Sequence, residues 1–322
     1  MKADDVKRHI SQCAAKSRPF LFGFDFEMEH GFFVPDPMNQ TEILFRTPLG
    51  GNYIPRCPAR TFSFAKTPIS YREYKAAFDV ISAGLHRGDS YLTNLTVQTP
   101  INTDLSLEEI LLGSNAPYGL LLPGRLVCFS PECFVSIDEH GVIATHPMKG
   151  TISASIPNAE QHIMNDAKER DEHNTVVDLL RNDIGIVAEE VRVSRFRYVT
   201  HVVTNQGEIL QVSSEVIGKL HDNYRENLGE IICAMLPAGS VSGAPKQATL
   251  QLIARAEQRK RGYYTGVFGY FDGRRLDSAV MIRYIEEVGG CRYFRSGGGI
   301  TVNSDPYSEY QEVIDKVYLP VL

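Results

Sequence analysis

Residues 146–151, His-Pro-Met-Lys-Gly-Thr, place a lysine between a proline and a glycine, directly after two short apolar stretches that predict strands. Proline restricts the backbone on one side and glycine permits a sharp turn on the other, so Lys149 is predicted to lie at a fixed point of a tight loop. A lysine amine that is held in place and kept neutral can act as a nucleophile. Because most loop lysines are simply solvated, this segment indicates chemistry only in combination with a second group of residues.

The second group consists of two pairs of glutamates, of which one lies near the C-terminus. Glu309 and Glu312 share one face of a predicted helix with Lys316, because residues at these spacings align on a helix surface. Asp305 is the predicted N-cap of this helix and Pro306 its first residue. The helix is therefore expected to present two carboxylates and one amine together.

The other pair, Glu169 and Glu172, has the same spacing and falls in a long helical stretch predicted over about residues 158–190. Two helices that each present two carboxylates can form an oxygen-only site, which a hard cation such as magnesium prefers. Magnesium also keeps several waters and leaves positions for a substrate. For any one such pair, a solvated helix face is the more common interpretation.

The composition is that of an ordinary globular protein, with 322 residues, 43% hydrophobic residues and a net charge of -6. Positive and negative residues are interspersed, which argues against nucleic acid or an anionic membrane as the main partner. The six cysteines are widely spaced and form no Cys-x-x-Cys pair, so we expect free thiols in a reducing compartment. An acidic N-terminus and the lack of a long apolar run predict a cytoplasmic protein.

Runs of short strands separated by long helices predict an α+β fold, in which helices cover largely antiparallel sheets. Residues 1–66 are expected to form a short, irregular, strand-like region packed on the core, and residues 67–322 the main domain. A helix is predicted from Ser70 to Arg87, with Ser70 as its cap and Glu73 completing a capping box.

A hairpin is predicted further along the chain. An Asp-Gly turn at 272–273 separates two apolar stretches, which predict strands over 265–271 and 276–286. Another strand is predicted over 291–295, just before the glycine-rich segment.

Ordered motifs over about residues 67–322 resemble those of the chorismate-utilising enzymes, most closely the aminase component of aminodeoxychorismate synthase (para-aminobenzoate synthase component I). Each motif alone is weak, but their shared order is specific. The resemblance implies a single large α+β domain with a chorismate-binding fold, in which two β-sheets pack together with helices outside. The motifs are Gly88–Leu95, Ser130–Glu132, Pro147–Thr151, Glu169–Asp183, His201, Gly239–Lys246, Arg261–Gly266, Ile282–Arg283 and Gly297–Pro306.

The resemblance also implies a substrate and a cofactor. The substrate is chorismate, which carries two carboxylates, and the cofactor is a magnesium ion that links protein carboxylates to the ring carboxylate. Glu172 and Glu312 are the implied direct or water-mediated ligands of the ion. Glu169 and Glu309 are the implied alternates.

The second carboxylate of chorismate, on the enolpyruvyl group, is assigned by the resemblance to Arg283 and Tyr264. An arginine fork with a phenol donor is a sound pairing for a carboxylate. The other implied substrate-binding positions are Gly297, Gly298 and Gly299, with backbone amides toward the ring carboxylate, and Ser240, Asn94 and Thr151.

Lys149 occupies the position of the lysine that distinguishes aminodeoxychorismate synthases from anthranilate synthases. The resemblance implies that its amine attacks C2 of chorismate and expels the C4 hydroxyl, after which ammonia attacks C4 and expels the lysine. Glu132 is the implied general acid for the departing hydroxyl. We expect burial and magnesium to lower the pKa of Lys149, and Glu132 to raise it, with the lowering effects prevailing. His201 is implied in proton transfer or substrate orientation, and a buried structural histidine is an equally good interpretation.

One position departs from the family pattern. Leu92 stands where relatives carry glutamine, and where isochorismate and salicylate synthases carry a lysine that activates water, so it argues against both of those activities. The chain has no Gly-x-Cys-x-Gly glutaminase motif, so ammonia must come from solution or from a separate glutamine amidotransferase subunit. The expected product is 4-amino-4-deoxychorismate, which is used for para-aminobenzoate and folate synthesis.

Three alternative functions remain open. Anthranilate synthase component I would need Lys149 to be a bystander and His201 to drive pyruvate elimination. A catalytically idle chorismate-binding protein would be free to lose Glu132 and the other implied site residues, yet they are present. A plain magnesium-binding module explains the glutamates but neither Lys149 nor Arg283.

Overall fold

The computed structural model describes residues 1–56, 60–204 and 207–321. Its α-helices are α1 (Ala3–Ala14), α2 (Tyr71–His86), α3 (Leu107–Leu112), α4 (Ala159–Asn165), α5 (Ala167–Gly185), α6 (Leu228–Met235), α7 (Gly239–Ser242), α8 (Lys246–Glu257) and α9 (Pro306–Asp315), with 3₁₀ turns at Pro37–Asn39 and Tyr224–Asn227. Its strands are β1 (Phe20–Phe24), β2 (Gly31–Pro35), β3 (Leu44–Thr47), β4 (Gly50–Gly51), β5 (Phe64–Lys66), β6 (Leu92–Thr103), β7 (Tyr118–Leu122), β8 (Leu126–Ser130), β9 (Cys133–Ile137), β10 (Val142–Thr145), β11 (Met148–Ser153), β12 (Glu189–Thr204), β13 (Gly207–Lys219), β14 (Gly243–Ala244), β15 (Val267–Phe271), β16 (Leu276–Val280), β17 (Tyr284–Val288) and β18 (Cys291–Ile300).

The strands form two antiparallel sheets. The first has the order β11-β13-β10-β9-β16-β15-β1-β2, with β12 also paired to β13. The second has the order β14-β6-β18-β17-β8-β7-β3-β4, with β5 also paired to β6. The predicted α+β fold with two antiparallel sheets and outer helices is thereby confirmed.

Alternating side chains on β1 show how the sheets pack. Leu21 joins a buried cluster with Phe45 of the second sheet, so this cluster lies between the sheets. Phe20 and Phe22 point the other way, into a cluster with helices α1, α5 and α6. Each buried phenylalanine contributes roughly 1.5–3 kcal/mol to folding. The helices therefore cover the outer face of the first sheet.

The first 66 residues are more regular than expected. Helix α1 was missed by the sequence analysis, although Val6, Ile10 and Ala14 recur every four residues and all three are buried. Strand β1 pairs with β15 and β2, and β3 pairs with β7. Residues 1–66 thus supply strands to both sheets, and a domain boundary at residue 66 stays a prediction.

Two helices begin as predicted. The Ser70 side chain accepts a hydrogen bond from the Glu73 amide, and the Glu73 carboxylate accepts one from the Ser70 amide, which completes the capping box of α2. The Asp305 side chain caps α9 by accepting from the Ser308 amide. The stretch predicted over 158–190 forms α4 and α5, which are separated at Asp166.

The predicted strand over 276–286 is two strands in different sheets. Strand β16 ends at Val280 in the first sheet, and β17 begins at Tyr284 in the second. Between them, Arg283 has a left-handed backbone with φ of 51°. This break turns the arginine away from a regular strand position.

Five cysteines lie within the described residues, and all five are free thiols. Cys57, the sixth, lies outside the described residues. In the described ranges, none of the helices has the length and apolar character needed to cross a membrane.

Candidate active site

A cleft of about 490 Å³ lies between helices α5, α7 and α9 and strands of both sheets. Every predicted site residue except His201 lines it, so fourteen separate sequence positions converge on one cavity. The predicted residues in the lining are Asn94, Glu132, Lys149, Thr151, Glu169, Glu172, Ser240, Tyr264, Arg283, Gly297, Gly298, Gly299, Glu309 and Glu312.

Lys149 lies on strand β11 rather than in the predicted loop. The pairing of β11 with β13 shifts register between Met148 and Thr151, so Lys149 and Gly150 form a β-bulge. Bulges bend a strand and redirect its side chains. Gly150 has a φ of 87°, and a Cβ atom there would lie 3.0 Å from Oε2 of Glu169. Glycine is needed for both the backbone angle and the space.

The amine of Lys149 is paired with a carboxylate. Its Nζ donates to Oε2 of Glu172 at 2.5 Å, and the lysine side chain is 39% exposed. Burial lowers the pKa of Lys149, but the Glu172 hydrogen bond and the charges of Glu172, Glu312 and Glu169 raise it, so that the net change is upward. The expected net lowering, which includes a bound magnesium ion, stays a prediction, and Glu172 rather than Glu132 is the main group that raises this pKa.

Glu132 lies in the connection between β8 and β9, where the chain passes from the second sheet to the first. Burial raises the pKa of Glu132 above its ordinary value, although Ser240, Arg283 and Lys316 act in the opposite direction. Ser240 Oγ donates to Oε1 of Glu132 at 2.5 Å. A carboxyl with a raised pKa can hold a proton for donation.

A partly buried ion pair fixes α7, the short helix that carries Ser240. Asp183 accepts from the Gly239 amide at 3.0 Å and from Nζ of Lys246 at 3.0 Å. Lys246 also donates to the carbonyl of Met235 at 2.7 Å. Asp183 is the last residue of the Arg-Asn-Asp sequence in α5. Because it holds the start of α7 in place, it positions the Ser240 hydroxyl, which donates to Glu132.

The acidic end of the cleft comprises Glu169 and Glu172 from α5 and Glu309 and Glu312 from α9. Burial raises the pKa of Glu309, and the neighbouring charge of Glu312 adds to this. Lys316 pairs with Glu312 at 2.6 Å. Across the described ranges, three or more His, Cys, Asp or Glu side chains are nowhere grouped closely enough to hold a metal on their own. The oxygen-only donor set still fits a cation that takes one or two carboxylates and completes its shell with water and substrate.

The cationic end of the cleft contains Arg283 and Tyr264. Among the described residues, the Arg283 guanidinium has no carboxylate or hydrogen-bond partner, and it lies 5.5 Å from the centre of the Tyr318 ring. Burial raises the pKa of Tyr264 to about 12, against the opposing charges of nearby arginines. The phenol therefore stays protonated and can donate a hydrogen bond.

Arg295 was missed by the sequence analysis and also lines the cleft. It is 3% exposed, and its Nη1 donates to Glu286 at 2.9 Å. Its Nε and Nη2 have no hydrogen-bond partner among the described residues. The signal in the sequence was its position on a predicted strand two residues before the glycine run.

His201 lies outside the cleft. Residues directly opposite on antiparallel strands point to the same face, and His201 is opposite Leu210, while the next residue, Gln211, lines the cleft. The His201 side chain therefore points away. It is 64% exposed and lies 2.6 Å from Glu208. An exposed side chain that points away from the cleft fits neither role expected for His201, which were proton transfer or substrate orientation at the site and a buried structural histidine.

Leu92 and Asn94 begin strand β6. Leu92 pairs with Ala244 and packs beside Gly299, outside the cleft lining. Asn94 lines the cleft opposite Gly299, and its buried Oδ1 has no hydrogen-bond partner among the described residues. The polar group that the family resemblance implies at residue 92 is thus absent from the cleft lining at that position.

Comparison with known proteins shows what this chain is similar to. A family model described as chorismate binding enzyme matches residues 58–320. An uncharacterized PabA-like protein of Pasteurella multocida is 49% identical over 98% of this chain and 98% of its own length. Aminodeoxychorismate synthase component 1 of Salmonella typhimurium is 32% identical over 81% of this chain and 60% of its own. The crystal structure of anthranilate synthase component I from Streptococcus pneumoniae superposes with a TM-score of 0.66 and 26% identity, over 84% of this chain and 61% of that one.

Proposed function

Because this chain belongs to the family of chorismate-binding enzymes, we propose that it aminates chorismate with ammonia to give 4-amino-4-deoxychorismate. The observation that carries the proposal is that Lys149, a candidate nucleophile, lines the same cleft as Glu132, a candidate acid. The relative from Salmonella typhimurium bears the name of an enzyme of this type, which supports the choice.

The two carboxylates of chorismate would divide between the two ends of the cleft. The enolpyruvyl carboxylate would bind Arg283, whose guanidinium forms no salt bridge among the described residues, and the phenol of Tyr264 would donate to it. The ring carboxylate would face the backbone of Gly297–Gly299 and the acidic end.

A divalent cation is required if an anionic group is to approach the acidic end. Glu172 and Glu312 would hold magnesium, with Glu169 and Glu309 as alternates. When bound, the ion would withdraw electron density from the ring carboxylate and so ease departure of the C4 hydroxyl.

The proposed chemistry has two displacements. Lys149 separates from Glu172 and loses one proton to solvent, and its uncharged amine then forms a bond to C2 while the ring double bond shifts and the C4–O bond breaks. Glu132 gives its proton to the departing hydroxyl, which leaves as water. Ammonia then bonds to C4, the ring double bond shifts back as the C2–N bond breaks, and the lysine leaves as an uncharged amine. Glu132 regains its proton from solvent. One difficult substitution is thereby divided into two easier ones.

Anthranilate synthase is the nearest alternative, and the position of His201 weighs against it. That alternative assigns pyruvate elimination to His201, whose side chain points away from the cleft. We assign the supply of ammonia to solution or to a separate glutamine amidotransferase subunit, since the chain carries no glutaminase motif.

Product analysis tests the proposal. The purified protein is incubated with chorismate, a magnesium salt and an ammonium salt, alongside Lys149→Ala and the surface control Lys75→Ala. We expect 4-amino-4-deoxychorismate from the wild type and from Lys75→Ala, and almost none from Lys149→Ala. Anthranilate with pyruvate as the main products would establish the alternative instead. No turnover, even with an added glutaminase subunit, would support an idle chorismate-binding protein.

A further inference from the structure

Arg261 is a buried arginine that stands behind the cleft and does not line it. Its guanidinium pairs with Glu257 at 2.6 Å, and both side chains are 1% exposed. A buried ion pair adds little net stability, because both charges lose their hydration. What distinguishes this pair is the set of groups that its other hydrogen bonds reach.

The other donors of Arg261 bind residues that line the cleft on three separate segments. Nη1 donates to the Val241 carbonyl at 2.8 Å and to Thr265 Oγ1 at 3.3 Å, and Nη2 donates to the Asn94 carbonyl at 2.7 Å. Val241 belongs to α7 and Asn94 to β6, so one guanidinium sets the distance between these two elements. The donors of an arginine form a rigid, planar fork, which a lysine cannot reproduce.

Glu257 attaches a second peptide group of β6 to the same ion pair. Its Oε1 accepts a hydrogen bond from the Thr96 amide at 2.9 Å, in addition to the one from Arg261. The start of β6 is therefore anchored at two points to one pair of side chains.

The loop between β1 and β2, residues 25–30, holds Arg261 from the other side. The Phe26 ring centre lies 4.4 Å from the Arg261 guanidinium. The Glu27 carboxylate accepts hydrogen bonds from the backbone amides of Arg261 at 2.7 Å and of Gly262 at 3.0 Å. This loop thereby fixes both the backbone and the side chain of the arginine.

Helix α7 also carries Ser240, whose hydroxyl donates to Glu132. We propose that Arg261 is a positioning residue, which is held by the β1–β2 loop, fixes α7 against β6 and so keeps the Ser240 hydroxyl directed at Glu132. The inference rests on the proposed function in that Glu132 is the acid there. It gives part of the first 66 residues a role in the site.

Amide hydrogen exchange tests the positioning without reference to activity. Mass spectrometry follows peptides from α7 and from the start of β6 in the wild type, Arg261→Lys, Glu27→Gln and the control Glu29→Gln. Glu29 lies in the same loop and pairs with the exposed Lys260 side chain, so both glutamine variants remove one charge, but only Glu27→Gln removes an acceptor of backbone amides. Exchange in both elements should be about 5–10-fold faster in Arg261→Lys, less so in Glu27→Gln, and unchanged in Glu29→Gln.

The pH dependence of kcat/KM tests the connection to Glu132. The Ser240 hydrogen bond lowers the pKa of Glu132, so weakening it should move the alkaline decline of kcat/KM to higher pH. Ser240→Ala should move the decline by about 0.5–1 pH unit, and Arg261→Lys should move it in the same direction by less. Because Arg261 acts through Ser240, adding Arg261→Lys to Ser240→Ala should move it no further. Every variant retains the further charged or titratable groups near Glu132, which include Arg283, Lys316 and Cys133.

Two results would overturn the inference. An unmoved alkaline decline in Arg261→Lys, with kcat lower only in proportion to the folded fraction, would give the arginine a purely stabilising role. A movement that adds fully to that of Ser240→Ala would show that Arg261 affects Glu132 by another route.

A wild type that does not aminate chorismate would overturn the proposed function separately. Faster exchange in α7 of Arg261→Lys would then still support the positioning, and unchanged exchange would overturn it as well. The thermal midpoint of each variant establishes that it is folded, and Glu27→Gln carries both tests if Arg261→Lys does not fold.

Discussion

The two ends of the cleft differ in how their charges are satisfied. At the acidic end, lysines of the protein already meet the carboxylates, since Lys149 pairs with Glu172 and Lys316 with Glu312. At the cationic end, the Arg283 guanidinium faces the cleft without a carboxylate partner among the described residues. An anionic group can therefore bind the cationic end directly, but it reaches the acidic end only together with a cation. Under the proposed function, this difference orients a dicarboxylate between the two ends.

The largest expected effect comes from removing the proposed nucleophile between these ends. Lys149→Ala should lower the rate of amination by at least on the order of 10⁴-fold, because the substitution can no longer proceed in two steps. Binding of a dicarboxylate at the cationic end should persist, and this can be checked by calorimetry. Wild-type turnover in Lys149→Ala would remove the lysine from the mechanism.

Glu132→Gln should have the next largest effect, a fall in kcat of about 10²–10³-fold, because the departing hydroxyl loses its proton donor. The acid must be protonated to act, and burial raises the pKa of Glu132, so activity should fall as the pH rises through that raised value. A glutamine does not titrate, so this alkaline decline of kcat/KM should vanish in the variant. An identical pH profile in both proteins would exclude Glu132 as the acid.

At the acidic end, Glu312→Gln should weaken the activation by magnesium by about 10–100-fold, and high magnesium should recover most of the rate. Magnesium titrations of activity and of heat release measure this for the variant and the wild type. A chelator should abolish wild-type activity reversibly. Activity that is indifferent to both treatments would show that the acidic end binds no essential cation.

At the cationic end, Arg283→Gln should raise KM for chorismate by about 10–100-fold and change kcat by no more than about threefold, because the contact is made in the ground state as well. Steady-state kinetics at saturating magnesium separates the two constants. A drop in kcat with unchanged KM would place Arg283 at the reacting atoms instead.

The smallest expected effect comes from the bulge that joins Lys149 to the acidic end. Gly150→Ala forces a left-handed alanine, at a cost of about 1–2 kcal/mol, and brings its Cβ to 3.0 Å from Glu169. Thermal unfolding should show a midpoint lower by a few degrees, and activity should fall by several-fold. An unchanged midpoint would mean that the bulge does not constrain this strand.

The acidic end was predictable because its residues follow a regular helical spacing. Glu309 and Glu312 are three apart on α9 behind a recognisable cap, so sequence alone places them on one face. The assignment of Lys149, Glu132 and the other positions to one cleft needed the family resemblance, since no local pattern joins segments so distant in the chain.

The cationic end was only partly predictable, because irregular backbone builds it. The positive φ of Arg283 interrupts what the sequence indicates as one continuous strand, and no residue there is a glycine that would mark the turn. Arg295 follows a regular strand and is distinguished only by its unpaired atoms, which depend on tertiary packing. The sequence could not assign the His201 side chain to one face of β12, because a difference of one residue in strand register decides which face it occupies.

A covalent adduct on Lys149 can be detected from the intact mass of the protein after rapid acid quenching with chorismate and magnesium but no ammonia. We expect a species heavier by chorismate minus one water, with the added mass on the peptide that contains Lys149. This species should disappear on addition of an ammonium salt and should be absent from Lys149→Ala. Full amination activity in the wild type without any such adduct, together with retained activity in Lys149→Ala, would contradict the account.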